Sequence, residues 1–301
     1  MTSPAHELTC NVNDIALVFE GGGYRVSYTA GMANLLLQCK VYFGFVCGIS
    51  AGASHTVDYL SRDQWRVKAA FTRLPLNMPK AGGVRSMLSG HGYFNADYLY
   101  EGCLADNFAP FDWETFVANP ARIRIQAFER DTGRTVTFTK ADMPNMWEAI
   151  KRVRASSTVP GAMPPEPIGG VVLMDGGLGD GAGIPLPMAE HDGFERFLFV
   201  ATRVLGYRKK PFPPAVRLGV KRAFGKYPHL VEALLTRAER YNEALDHVAE
   251  LEREGRALVV RPDTMPIKNT TIDRERLERA YDLGHEQGLR EMPRILEFVG
   301  L

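Results

Sequence analysis

An α/β layered fold is predicted by three features of the sequence. Short apolar runs alternate with helical spacing along the whole chain, glycine-rich junctions join a run to the helix after it, and no internal repeat or low-complexity tract interrupts the pattern. The 301 residues, 45% of them hydrophobic, suffice for one large core, so a single domain over 1–301 is expected.

The elements follow in order. Ile15 to Phe19 reads as a buried strand, ended by Glu20 and Gly21-Gly22-Gly23. Tyr28, Met32, Leu35 and Leu36 then share one helical face. Val41 to Cys47 reads as the next strand, running into Gly48-Ile49-Ser50-Ala51-Gly52, and Ala53, Val57 and Leu60 open a second helix. Residues 74–97, rich in Gly, Pro and Asn, are expected to form a long loop and are a candidate lid. Arg122 to Phe128 and Thr135 to Thr139 read as strands around an Asp131-Thr132-Gly133 turn. Asn145 to Ser156 reads as a helix, broken afterwards by Pro160, Pro164, Pro165 and Pro167. Val171 to Met174 is a short strand leading into Asp175-Gly176-Gly177, and Arg196 to Thr202 is another. Val231 to Arg253 carries a long apolar stripe, Leu258 to Arg261 a late strand, and Asp273 to Arg290 a last helix. Residues 15–190 are expected to hold the catalytic core, with the strands and helices of 191–301 packed on the same domain.

Composition excludes several functions. With 36 basic and 35 acidic residues, nucleic acid is not expected as a partner. Cys10, Cys39, Cys47 and Cys103 include no C-x-x-C pair, so neither a zinc site nor a redox motif is indicated, and scattered cysteines fit a reducing compartment. The N-terminus is polar through Asp14, and no apolar run is long enough to span a bilayer. A cytoplasmic protein is expected, one that visits a membrane surface peripherally if its substrate is a lipid.

Three motifs carry chemistry. Gly48-Ile49-Ser50-Ala51-Gly52 is a G-x-S-x-G sequence between a strand and a helix, where a sharp turn would expose Ser50 Oγ. Gly48 and Gly52 would let the backbone pass close. The run Gly21-Gly22-Gly23 can aim amides at an anion. The dinucleotide fingerprint fails here: its third glycine would fall at Val26, and no acidic residue stands near Lys40 to Gly44. An oxyanion hole is the other reading, with Arg25 fixing the loop or adding positive potential. Asp175 follows a strand and precedes Gly176 and Gly177, a strand-end position where α/β sheets build sites.

Two assemblies accommodate these residues. One is a Ser–His–Asp triad completed by His191, His229, His247 or His285, none of which lies in a turn-rich apolar context. The other is a Ser–Asp dyad, in which a carboxylate takes the serine proton directly. An aspartate suits that task only when its surroundings bring its basicity closer to the working pH.

The motifs together resemble the patatin-like phospholipase family, and in particular its bacterial branch. The order is Glu20-Gly21-Gly22-Gly23-Tyr24-Arg25, then Gly48 to Gly52, then Asp175-Gly176-Gly177. Ala155-Ser156-Ser157, Pro160-Gly161, Pro164-Pro165, Asp180 and Ile184-Pro185 add to the likeness, as do Thr202-Arg203, Tyr241-Asn242 and Arg261-Pro262. The resemblance implies a three-layer α/β/α fold with a mostly parallel sheet and a lipid acyl ester substrate. It implies Ser50 as nucleophile, Asp175 as base, oxyanion donors from Gly21, Gly22 and Gly23, and no metal or cofactor. Many members have glycine directly after the arginine, where this chain has Val26; the bend into the helix is expected to differ there.

Three functions remain. The first is a phospholipase or esterase, the second an acyltransferase, and the third a non-catalytic lipid-binding protein, which Val26 alone favours. Between Arg196 and Val231 there is no acidic residue, while Arg208-Lys209-Lys210 and Lys221-Arg222 are interleaved with Phe212, Phe224 and Tyr227. This makes residues 203–227 a candidate contact with an anionic membrane, or else a solvated basic face.

Overall fold

In the computed structural model, which describes residues 8–73 and 82–301, the chain builds one eight-stranded sheet. β1 (Ala16–Phe19) leads through a glycine loop into α1 (Val26–Gln38), and β2 (Phe45–Ile49) into α2 (Ala51–Leu60). α3 (Gln64–Thr72) starts where Asp63 accepts the Arg66 amide. α4 (Val84–Leu88) follows, then a π turn over Asp97–Gly102 that continues as α5 (Cys103–Ala105), and α6 (Trp113–Ala118). β3 (Arg122–Glu129) and β4 (Thr135–Phe138) form a hairpin whose turn places Gly133 at a φ of 77°. α7 (Met146–Ser157) is capped by Asn145, β5 (Glu166–Ile168) pairs with β6 (Val171–Asp175), and α8 (Leu186–His191) precedes β7 (Phe197–Val200). α9 (Pro214–Phe224) and α10 (Pro228–Arg253) each start on a proline, which lacks only an amide that would have had no helical partner. β8 (Ala257–Val260) and α11 (Arg274–Val299), capped by Asp273, complete the chain.

The strand order is β5-β6-β3-β2-β1-β7-β8, with β4 also on β3. β3, β2, β1, β7 and β8 are parallel neighbours; β4, β5 and β6 join antiparallel. Side chains alternate across the sheet, so two cores result. Leu17 and Phe19 of β1 pack with α1, α2, α3, α7 and α11, whereas Ala16 and Val18 face the layer holding α8 and Tyr241, Val248 and Leu251 of α10. This is the three-layer α/β/α arrangement with a mostly parallel sheet. β7 and β8 belong to that same sheet, so residues beyond 190 flank β1 directly.

Several elements differ from the sequence pattern. Part of the long loop expected over 74–97 lies outside the described residues; the rest holds α4 and an isolated bridge between Gly82 and Phe94. β5 forms despite Pro167, because an edge strand leaves that position free of a ladder obligation. β2 lies later than expected, ending at Ile49 against Ser50 itself. α11 runs past Arg290 through Pro293 and stops at Gly300, which takes a left-handed φ of 77°.

Candidate active site

β2 ends one residue before Ser50, and α2 begins one residue after it. Ser50 turns this corner at φ 57°, a conformation that a side chain with Cβ adopts only when its surroundings hold it there. The Ser50 amide donates to Ser156 Oγ at 2.9 Å. The corner is tight enough to require its glycines: a Cβ on Gly48 would stand 2.2 Å from the Gly52 carbonyl oxygen, and one on Gly52 would stand 2.3 Å from that of Phe19.

β3 sets the position of Asp175 relative to this corner. Its residues Arg122 to Gln126 pair in parallel with β2, and Ala127 to Glu129 pair antiparallel with β6. β4 occupies the opposite edge of β3, so β2 and β6 share one edge and meet end to end. Ile49 pairs with Gln126 and Asp175 with Ala127, the very next residue. Asp175 is buried, accepts the Gly177 amide on Oδ1 at 2.8 Å, and lies 3.9 Å from Arg237 Nη2. Gly176 packs where a Cβ would meet the Gln126 carbonyl oxygen at 2.1 Å, and at Gly177 a Cβ would meet Arg237 Nη2 at 2.3 Å.

The glycine loop hangs from the end of β1 beside the same corner. The space above Gly21 is bounded by Ser50, whose Cβ would lie 3.3 Å from a Cβ there. Its amide, however, already donates to the Gly183 carbonyl at 3.1 Å. The expectation of three donors therefore narrows: among the described residues, only the Gly22 and Gly23 amides of this loop have no acceptor. Gly23, at φ 53°, makes the bend. Val26 enters the helix at an ordinary φ of −67°, so nothing at that position calls for glycine. The Arg25 side chain is buried; burial first and the Arg203 charge second lower its pKa to about 10.

A cavity of about 370 Å³ joins these parts, within the roughly 300–1,000 Å³ usual for small-molecule sites. Ser50, Asp175 and Gly21 to Arg25 line it together. One arm is apolar, walled by Val57, Phe71, Leu99, Ile150, Val153 and Met163, and reaches the buried Asp58–Arg66 pair at 2.7 Å. The other arm is cationic, with Arg203, Lys209 and Arg237. Tyr241 also lines it; its hydroxyl donates to Glu20, and burial and the Glu20 charge push its pKa up.

Ser156 and Tyr241 fall in stretches that carry the family likeness, though no role was read for either, and the sequence pattern gave no reason to place Lys209 or Arg237 at this site. All four come from distant segments, and only the fold unites them. Arg208-Lys209-Lys210 does not form one surface patch: Arg208 pairs with Asp246, and Lys209 turns to the cavity. None of His191, His229, His247 or His285 lines the cavity; His247 contacts Glu190 and His285 contacts Gln38. His55 is fully buried against Thr29 and the Val26 carbonyl, with its pKa lowered to about 3 by burial, and it lies off the cavity wall as well. Among the described residues there is no group of three or more His, Cys, Asp or Glu placed to hold a metal ion, and no helix long and apolar enough to cross a membrane.

The patatin-like phospholipase family model matches residues 17–188, and the chain belongs to that family. A second family model, a domain of unknown function (DUF6363), matches residues 227–300. Among solved structures, VipD from Legionella pneumophila is similar at a TM-score of 0.48 and 13% identity, over 92% of this chain and 66% of VipD, so the chain spans just under two thirds of VipD's length. No curated protein matches the chain.

Proposed function

We propose that the protein hydrolyses carboxylic esters of lipids through a covalent acyl-enzyme. In this reading Asp175 takes the Ser50 hydroxyl proton as Oγ attacks the ester carbonyl. The tetrahedral oxygen gains its charge against the Gly22 and Gly23 amides, helped by the positive end of α1. Collapse releases the alcohol, which carries away the proton from Asp175. Water, activated by the same carboxylate, then frees the fatty acid and restores Ser50. Each oxyanion donor typically contributes about 10²–10³ in rate. The single observation that carries this reading is the adjacency of the Ile49–Gln126 and Asp175–Ala127 pairs, which sets a strained serine corner and a buried carboxylate on one cavity wall. The apolar arm suits an acyl chain.

The test is labelling with a long-chain alkyl fluorophosphonate, mapped by peptide mass, on wild type, Ser50→Ala and Asp175→Asn. A single adduct on Ser50, strongly reduced in Asp175→Asn, is expected. An adduct indifferent to Asp175 would remove the dyad, and no adduct would leave a lipid-binding protein. Product analysis with water and alcohol acceptors separates hydrolysis from acyl transfer.

Docking on an anionic membrane belongs to the same reading, with α9 as the contact. α9 has no buried residue; Val216 and Leu218 are exposed on it, and Phe212 just before it, beside the exposed Lys221 and Arg222. Vesicle co-sedimentation should rise with the fraction of anionic lipid and fall with salt. Binding indifferent to both would exclude this surface.

A further inference from the structure

The apolar arm of the cavity has a direction. Ser50, Ala51, Ser54, Val57 and Asp58 all line the cavity, and residues so spaced share one face of a helix. The arm therefore runs along α2, away from the serine corner. Asp58 stands about 12 Å beyond Ser50 on that axis, at the ordinary rise per helical residue. α3 supplies the far end of the arm with Arg66, Ala70 and Phe71.

That far end is not apolar. Arg66 Nε donates to Asp58 Oδ1 at 2.7 Å, and both residues are buried, Asp58 with 0% of its surface exposed. Arg66 Nη1 is spent on the protein, donating to the Ala109 carbonyl and, at 3.1 Å, to that of Pro110, while the guanidinium lies 5.2 Å from the Phe111 centroid. Asp58 Oδ2 is left over. It is buried, and among the described residues it accepts from nothing. Burial raises the Asp58 pKa, and the charge and hydrogen bond of Arg66 oppose the rise. A pair that served only to tie α2 to α3 would have both oxygens satisfied from within the fold, because a bare buried carboxylate oxygen carries its desolvation cost in full. Here the bare oxygen belongs to a residue at the end of a substrate-sized cavity.

We infer that Asp58 Oδ2 is an acceptor for the far end of the acyl chain, so that the preferred acyl group is of medium length and carries a terminal hydroxyl. The inference rests on the hydrolase reading for the position of the ester carbonyl at Ser50. A hydroxyl is the group that fits. The Asp58–Arg66 pair is neutral as a unit, so a terminal ammonium would set a second cation beside Arg66, and a terminal carboxylate a second anion beside Asp58. A hydroxyl donates to the carboxylate in a charge-assisted bond, and it can accept instead if Asp58 takes up a proton. A plain alkyl chain of the same length leaves Oδ2 bare. Sites built around a buried polar group discriminate strongly against the analogue that lacks its partner.

The experiment separates this inference from the hydrolase reading. Binding is measured by calorimetry on full-length Ser50→Ala, with the glycerol monoesters of decanoic, 10-hydroxydecanoic and 10-aminodecanoic acids as probes. Turnover of the first two is measured on wild type. The hydroxylated ester should bind about tenfold or more tightly than the plain one. Adding Asp58→Leu with Arg66→Met, which replaces the ion pair by apolar side chains of similar size, should reverse that order. If the double change prevents folding, as judged by circular dichroism, Asp58→Asn alone should shrink the preference, since a neutral acceptor makes the weaker bond. Equal affinity for the two esters, tighter binding of the plain one, or a preference that survives loss of the pair overturns the acceptor role. Tighter binding of the amino ester than of the hydroxylated one overturns the assignment to a hydroxyl. Turnover of both esters without a preference in binding would leave the hydrolase reading standing and overturn this inference alone. A preference in binding without turnover of either would sustain the acceptor and overturn the hydrolase reading.

Discussion

The Ser156 hydroxyl accepts the backbone amide of Ser50 at 2.9 Å, tying the last turn of α7 to the corner between β2 and α2. The amide belongs to a residue held at φ 57°, and Ser156 is itself fully buried. Ser156→Ala therefore leaves an amide unsatisfied, at roughly 1–3 kcal/mol, and frees the corner to relax. Fluorophosphonate labelling of Ser50 should slow about tenfold or more, since small misplacements of a reacting group have large effects on rate. The urea midpoint should fall only modestly. Unchanged labelling would mean that the corner is held by its glycines alone.

Gly48→Ala tests that other restraint. The new methyl would meet the Gly52 carbonyl oxygen at 2.2 Å, a backbone atom that cannot swing aside. α2 must move off β2, carrying the first helical amides away from Ser50. Overpacking of this kind typically destabilises by about 1–3 kcal/mol. A lowered melting temperature together with loss of Ser50 labelling is expected. Wild-type behaviour in both would show that the β2–α2 junction is more open than its geometry implies.

Much of the candidate site was legible in the sequence because its candidate residues lie at strand ends, and short apolar runs followed by glycines mark strand ends. Ser50, Asp175 and the glycine loop were found that way. The role of β3 was not legible: nothing in Arg122 to Glu129 announces that its first five residues pair with one strand and its last three with another. The same holds for Arg237, which sits among the core-facing residues of a long amphipathic helix yet reaches Asp175. Lys209 read as surface charge because a basic run with no acidic neighbour looks solvated; only the fold shows that one member turns inward. The committed Gly21 amide was equally hidden, since its acceptor, Gly183, comes from a turn far along the chain.

The lowered pKa of Lys209 gives a pH dependence with a definite sign. Its value is about 7 in the folded protein against 10.5 ordinarily, through burial and the Arg237, Arg203 and Arg25 charges, with Glu20 opposing. Below about pH 7 the lysine is charged in both states and the full penalty falls on the fold. Between about 7 and 10.5 the unfolded chain binds more protons, so this group's contribution to stability rises with pH. Lys209→Met should therefore stabilise the protein most near about pH 6, and the gain over wild type should shrink towards about pH 9. Urea midpoints at both pH values measure this. A gain independent of pH would mean that the mutation acts through packing rather than charge.

The catalytic core expected over 15–190 should not fold without the rest of the chain. β1 lies between β2 and β7, so cutting at residue 190 strips β7 and β8 and bares one edge of a fully buried apolar strand. Bare apolar edges invite aggregation. The cut also removes both partners of Glu20, the Thr202 amide and the Tyr241 hydroxyl, and leaves that carboxylate at the root of the glycine loop unpaired. α1 loses α11, which crosses it so closely that a Cβ on Gly284 would stand 1.9 Å from the Tyr28 carbonyl oxygen. A 1–190 fragment should be insoluble, or soluble with no cooperative urea transition and no labelling at Ser50. A cooperative, labelled fragment would show that the first half is a domain in its own right and that the C-terminal third lines the cavity without contributing to the fold.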